Sequence, residues 1–225
     1  MSDLFGFGVA TKSSKENTYT ASDIEVLEGL EPVRMRPGMY IGGTDESAMH
    51  HLVSEVLDNS MDEAVAGFAS KITIELLENG NVAISDNGRG IPVDNHPKFP
   101  EKSALEVILT TLHSGGKFSD KAYQTSGGLH GVGISVVNAL SEELIVEVYR
   151  DGASYTQKYL RGVPLTKLEK SPALKKLKGT KITFKPDTEI FGHTLQLKPK
   201  RIYDLAKSKA YLYKGVEIHW SCPAA

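Results

Sequence analysis

Residues 47–67 carry the strongest helical pattern in the chain, and a hairpin pattern follows directly. With Leu52 at zero on a helical wheel, Met49, Val53, Val56, Leu57, Met61 and Ala64 fall within half a turn. One face of this helix must therefore lie on an apolar surface. KITIELL (71–77) and NVAIS (81–85) supply strands, joined by a hairpin turn at Glu78-Asn79-Gly80. Helix and hairpin together point to layers, with helices on one face of a sheet.

The rest of the chain fits that frame. Asp23–Leu30 is a short helix candidate with Ser22 as N-cap, and PVRMRPGMYIGG reads as a turn-laden connector. A long polar segment follows residue 90, then a helix over 103–112, a Gly/Ser-rich loop over 113–128 and an apolar helix over 134–140. Strands are expected at 144–149, 153–160 and 179–185, the first two joined at Asp151-Gly152. A helix over 199–212 and a strand over 215–220 close the pattern. The expected class is α+β, a mixed, largely antiparallel sheet with helices on one face. Residues 1–18, without periodicity, read as a flexible arm.

Composition narrows the function classes. At 40% hydrophobic and 24% charged residues the chain is globular in type. No apolar run approaches the roughly 18 residues that span a bilayer, and no secretory leader pattern opens the chain. One cysteine, Cys222, leaves no intramolecular disulfide and no Cys-rich zinc site. The expectation is a soluble, intracellular protein. The net charge of −2 conceals an imbalance: residues 161–225 hold 14 Lys+Arg against 5 Asp+Glu. Such a basic third fits either a nucleic-acid partner or a solvated lysine-rich face, and composition does not choose.

Four motifs carry chemistry. Glu55 and Asn59, four apart on the long helix, share one edge of it. A carboxylate there can orient a water, and an amide oxygen suits Mg²⁺. D-N-G-R-G-I-P (86–92) follows a strand, where its glycines let a planar ligand approach and Asp86 can accept from an exocyclic amine. S-G-G-L-H-G-V-G-I-S (126–135) leads into a helix, and freed backbone N–H groups at such a start bind phosphate. It matches neither the P-loop nor the dinucleotide fingerprint. His130 inside it has no partner at metal-ligand spacing. Gly179-Thr180 opens the strand KITFKP, and Thr180 matters only if that strand lies beside Asp86.

Together these stretches resemble the ATPase domain shared by gyrase, the heat-shock chaperone, the mismatch-repair ATPase and sensor histidine kinases. Within that superfamily the chain is similar to B subunits of bacterial type IIA topoisomerases over nearly all of residues 19–220. The matching segments are GLEPVRMRPGMYIG, DNSMDEAVAG, DNGRGIPVD and GGKFSDKAYQTSGGLHGVGISVVNALS. The wording KFSDKAYQTSGG and KSKAYLYKGVEI is nearer to topoisomerase IV than to gyrase.

The resemblance implies a Bergerat-type two-layer α/β sandwich over residues 19–225 that binds ATP and Mg²⁺. It implies Glu55 as general base, Asn59 as Mg²⁺ ligand, and Asp86 with Thr180 at the adenine edge. Gly90 and Pro92 would lie against the base, and Arg89 would pair with Glu63 at the pocket rim. Lys117 and Tyr123 would belong to a lid, while Gly128, Leu129, His130, Gly131, Val132 and Gly133 would cradle the phosphates. Tyr19 would cross to a second copy in a nucleotide-dependent homodimer. Arg150 would line the mouth where ATP-competitive aminocoumarins pack beside Asp86, Arg89 and Thr180.

The implied partners are a topoisomerase A subunit, in a heterotetramer, and DNA. The implied place is the bacterial cytoplasm at the nucleoid, with no membrane. The family's transducer lysine and cleavage domain have no counterpart here, so the isolated chain is expected to bind ATP, turn over slowly and stay largely monomeric. Two rivals differ in chemistry. Histidine kinases usually place Asn where Glu55 stands, and a nucleotide-gated dimerisation module would not need the base.

Overall fold

The computed structural model describes residues 20–24, 26–114 and 132–223. Seven helices are formed among them: α1 (Glu31–Met35), α2 (Gly38–Ile41), α3 (Glu46–Val65), α4 (Ala104–Thr110), α5 (Gly133–Ala139), α6 (Thr188–Phe191) and α7 (Pro199–Leu212). The strands are β1 (Lys71–Leu76), β2 (Val82–Asp86), β3 (Asn95–His96), β4 (Phe99–Ser103), β5 (Ser141–Arg150), β6 (Ala153–Leu160), β7 (Val163–Pro164), β8 (Glu169–Pro172), β9 (Gly179–Pro186) and β10 (Glu217–Ser221).

The main sheet runs β10-β1-β2-β9-β5-β6-β7, with β8 also paired to β6. Only β1 and β10 are parallel; the other pairs are antiparallel. The β1–β2 turn closes as expected at Gly80 (φ +79°), and Asp151 and Gly152 take positive φ between β5 and β6. Strand alternation puts Ile72, Ile74, Ile84, Leu144, Val146, Val148, Ile182 and Phe184 on the buried face. α3 lays Met49, Leu52, Val53, Val56, Leu57 and Met61 into the same core, as the wheel requires. Asp45 caps it, accepting from Ala48 N–H at 2.9 Å.

Folding pairs part of the basic third with acids elsewhere in the chain. Arg201 meets Glu46 at 2.9 Å, Lys209 meets Asp58 at 2.6 Å, and Lys185 meets Glu142 at 2.7 Å. On the sheet Glu147 stands opposite Lys181 and Glu143 opposite Lys185.

Local structure departs from expectation in three stretches before α4, and β7, β8 and α6 form where no element was expected. No helix forms over the described residues of 23–30: a single 3₁₀ turn spans Ala21–Asp23, and Ile24 and Val26 are exposed, offering no buried face to a longer one. The connector instead holds α1, with Pro32 in its first turn, and α2. The polar segment after residue 90 contains the β3–β4 hairpin. In α4, Leu105, Val107 and Leu109 are buried in the body of the domain. Among the described residues no helix is long and apolar enough to cross a membrane.

Candidate active site

α3 presents His51, Glu55, Asn59 and Glu63 at successive steps of four, which forms one edge of the helix. His51 Nε2 lies 3.1 Å from Glu55 Oε1. That bond raises the pKa of His51; partial burial opposes it, and the charges of Glu55 and Asp58 add to it. Glu55 and Asp58 thus stabilise the protonated form of the ring, and the ring in turn contacts and steadies the Glu55 carboxylate. On the other side α5 begins at Gly133, where a Cβ would run into the Glu55 carboxylate.

Five residues along the helix, about 7.5 Å of rise, Ser60 Oγ donates to Asp86 Oδ2 at 3.2 Å. Asp86 ends β2, and its Oδ1 accepts Gly88 N–H at 2.8 Å. β9 lies beside β2, with Lys181 opposite Ser85, so Thr180 is the neighbour of Asp86. Thr180 N–H also bonds the Asp86 carboxylate, and Thr180 Oγ1 accepts Ile91 N–H at 3.2 Å.

Burial pushes the Asp86 carboxyl up to about 6, with the Glu63 charge adding to the rise. Bonds from Gly88, Ser60 and Thr180 pull the other way without cancelling it. Such a group favours a ligand donor that stabilises its anion.

Glycines hold the backbone close around this carboxylate. Gly179 has φ +118°, and a Cβ there would strike the Asp86 carbonyl. Gly90 has φ +79°, and its Cβ would stand 3.0 Å from Val148 Cγ1 and 3.2 Å from the Gly179 carbonyl.

At the rim, Arg89 Nη2 meets Glu63 Oε1 at 2.7 Å, and Arg89 N–H donates to Glu63 Oε2 at 2.8 Å. The guanidinium also stacks on Phe68, 3.7 Å from the ring centroid. Pro92 is exposed. Arg150, ending β5, reaches back to the Ile91 carbonyl at 3.4 Å.

The fold thus gathers Asp86, Arg89, Gly90, Thr180 and Arg150 around one wall, with Glu55 and Asn59 further along α3. Val132 and Gly133 stand at the start of α5. Tyr19, Lys117, Tyr123, Gly128, Leu129, His130 and Gly131 lie outside the described residues. Two contributors escaped the reading of the sequence: His51 and Ser60. The four-residue repeat that links Glu55 to Asn59 points back to His51 as well. Nothing local marks Ser60, because it acts through β2.

Among the described residues no group of three or more His, Cys, Asp or Glu could hold a metal. A cation here would rest on the Asn59 amide and on oxygens of the bound ligand, the habit of Mg²⁺ on nucleotides.

Residues 44–190 match the family described as histidine kinase-, DNA gyrase B- and HSP90-like ATPase. The B subunit of DNA topoisomerase 4 from Rickettsia bellii is 68% identical over 99% of this chain and 34% of its own length. That of Caulobacter vibrioides is 63% identical over 93% of this chain and 30% of its own. Thus the chain spans about a third of the length of the curated relatives it matches. The 43K ATPase domain of Thermus thermophilus gyrase B, solved with an aminocoumarin, superposes with a TM-score of 0.76 at 45% identity, covering 86% of this chain and 48% of that one. With the match covering well over half of the chain, and the fold in agreement with it, the chain belongs to the histidine kinase-, DNA gyrase B- and HSP90-like ATPase family.

Proposed function

We propose that residues 19–225 are the ATP-binding and ATP-hydrolysing domain of the B subunit of a DNA topoisomerase IV, preceded by an arm over 1–18. The observation that carries the nucleotide site is Asp86: a half-buried carboxylate of raised pKa, backed by glycines that leave no room for a Cβ. The adenine amine donates to Asp86, with Thr180 completing that edge. Gly90 and Pro92 lie against the base, and Arg89, steadied by Glu63 and Phe68, closes the rim.

Glu55 takes a proton from the water that attacks the γ-phosphate, and His51 holds its carboxylate in place. Asn59 would hold Mg²⁺, which when bound neutralises phosphate charge. Lys117 and Tyr123 cover the nucleotide, residues 128–133 cradle its phosphates, and Tyr19 reaches across to a second copy. Arg150 lies where an ATP-competitive inhibitor would pack; the aminocoumarin in the Thermus thermophilus structure supports that use of the mouth.

In the whole protein this cycle would drive double-strand passage, decatenation and relaxation of DNA, with the topoisomerase A subunit as partner, in the bacterial cytoplasm at the nucleoid. The two topoisomerase 4 relatives above support this assignment over gyrase. A DNA gyrase B subunit from Thermotoga maritima, 54% identical over 90% of this chain, supports the second reading.

The full-length B subunit, reconstituted with its A-type partner, is to be given interlinked circles and relaxed circles with ATP. ATP-dependent unlinking without negative supercoiling is expected. Negative supercoiling would transfer the chain to the gyrase reading, and ATP-independent activity would overturn the function.

A further inference from the structure

Arg34, which the nucleotide site does not touch, joins three segments remote in sequence. Its Nη1 donates to the Ala139 carbonyl at 2.7 Å, and its Nη2 to Asp187 Oδ2 at 2.7 Å. Asp187 is fully buried, and its N–H donates to the Leu140 carbonyl at 3.0 Å. Asn138 Nδ2 adds a bond to the Leu109 carbonyl at 2.9 Å. All these ties converge on the C-terminal end of α5.

α5 has only seven residues, too few internal bonds to hold its own position. Its last carbonyls lack helical partners, and an arginine is favoured there by both hydrogen bonding and the helix dipole. Its first residue, Gly133, lies about 9 Å up the axis and abuts the Glu55 carboxylate. Moving the anchored end therefore moves the surface against which Glu55 rests.

We propose that Arg34 is a positioning residue for hydrolysis: by tying the end of α5 to Asp187, it seats Gly133 against Glu55 and so sets the carboxylate for water activation. This rests on the reading of Glu55 as general base. The guanidinium fork is essential, because one planar group serves three acceptors, the Ala139 carbonyl, Asp187 Oδ2 and, at 3.3 Å, Glu189 Oε2; a lysine ammonium, a single point of charge, cannot span them in the same geometry.

The molecule contains its own control. Arg161 meets the same acids, with Nε 3.0 Å from Asp187 Oδ2 and Nη2 2.8 Å from Glu189 Oε1. These two ion pairs engage the acids without taking a carbonyl of α5. Arg161 also keeps Asp187 paired when Arg34 is changed, so Arg34→Lys leaves no isolated buried charge.

The test compares four forms of the full-length protein: wild type, Arg34→Lys, Arg161→Lys and Glu55→Ala. Steady-state ATP hydrolysis, calorimetric affinity for a non-hydrolysable ATP analogue and the thermal midpoint are measured on each. Arg34→Lys should lower kcat at least about tenfold with affinity within about threefold of wild type, the signature of an interaction used in the transition state. Arg161→Lys should keep kcat within about twofold despite a comparable loss of thermal stability. Equal kcat losses in the two variants, or an Arg34→Lys enzyme within about twofold of wild type, overturn the proposal. Hydrolysis by Glu55→Ala at the wild-type rate would instead remove the general-base reading beneath it. Glu55 dependence with an inert Arg34→Lys removes the positioning role alone.

Discussion

The two ends of the candidate site are built from different materials. Asp86 and Thr180 sit on β2 and β9, adjacent strands inside the main sheet, and the backbone around them is closed by Gly90 and Gly179. Glu55 and Gly133 sit on two helices, where His51 holds the carboxylate and the Glu55 side chain is 29% exposed. A strand pair fixes its residues through backbone ladders, whereas a helix face is only as well placed as the packing beneath it. On the proposed function, recognition is preformed in the sheet, and hydrolysis depends on how α3 and α5 sit against each other. Binding and turnover should accordingly separate under mutation.

The largest effect is expected at the helical end. Glu55→Ala in the full-length protein should reduce phosphate release by roughly 10²–10⁴, the usual worth of a positioned general base. Its affinity for a non-hydrolysable analogue should stay near wild type, because the adenine contacts lie on the strands. A large affinity loss measured by calorimetry would break the comparison.

At the sheet end the effect should fall on binding. Asp86→Asn presents a donor where an acceptor is required, leaving buried polar atoms unpaired at about 1–3 kcal/mol. Calorimetry with the same analogue should register that loss, while circular dichroism shows the fold retained.

A pH series sharpens the same end. Asp86 titrates at about 6, above its ordinary 3.8. A carboxyl whose folded pKa is raised favours its protonated form, so this group's contribution to stability is present below 3.8 and lost as pH rises through about 6. In the proposed site the adenine amine donates to the anion, so binding should run in the opposite direction. Between pH 7 and pH 5 the affinity should fall about tenfold, as one proton must be displaced. Asp86→Asn should flatten that slope.

The smallest effect belongs to His51. His51→Asn removes the imidazole that steadies Glu55 but leaves the base itself, so kcat should fall by less than about tenfold with unchanged affinity. A steady-state comparison at saturating ATP reads this directly.

The layered fold and its long elements were legible because each carried its own periodicity: α3, the β1–β2 hairpin, the β5–β6 pair and α7. Short elements were not. α1 and α2 are built on Pro and Gly, which read as turns until Val33 and Ile41 are seen to be buried. The β3–β4 hairpin has no apolar alternation and exposes most of its residues.

In the site, the Glu55–Asn59 edge and the Asp86 loop announced themselves by residue type and spacing. Thr180 carried its meaning only through strand order, which no local pattern fixes. Ser60 was hidden for the same reason, since its partner lies 26 residues away. The acid–base imbalance between the two parts of the chain was visible at once, yet its resolution into pairs such as Lys209–Asp58 required the fold.

Separability of the two ends is tested most directly by the kcat of Asp86→Asn at saturating ATP, in the full-length protein. The account predicts a raised KM with kcat within about threefold of wild type, because the mutation weakens binding of ground state and transition state alike. A kcat that collapses to the level of Glu55→Ala would contradict it, showing that the adenine wall and the hydrolytic edge act as one unit.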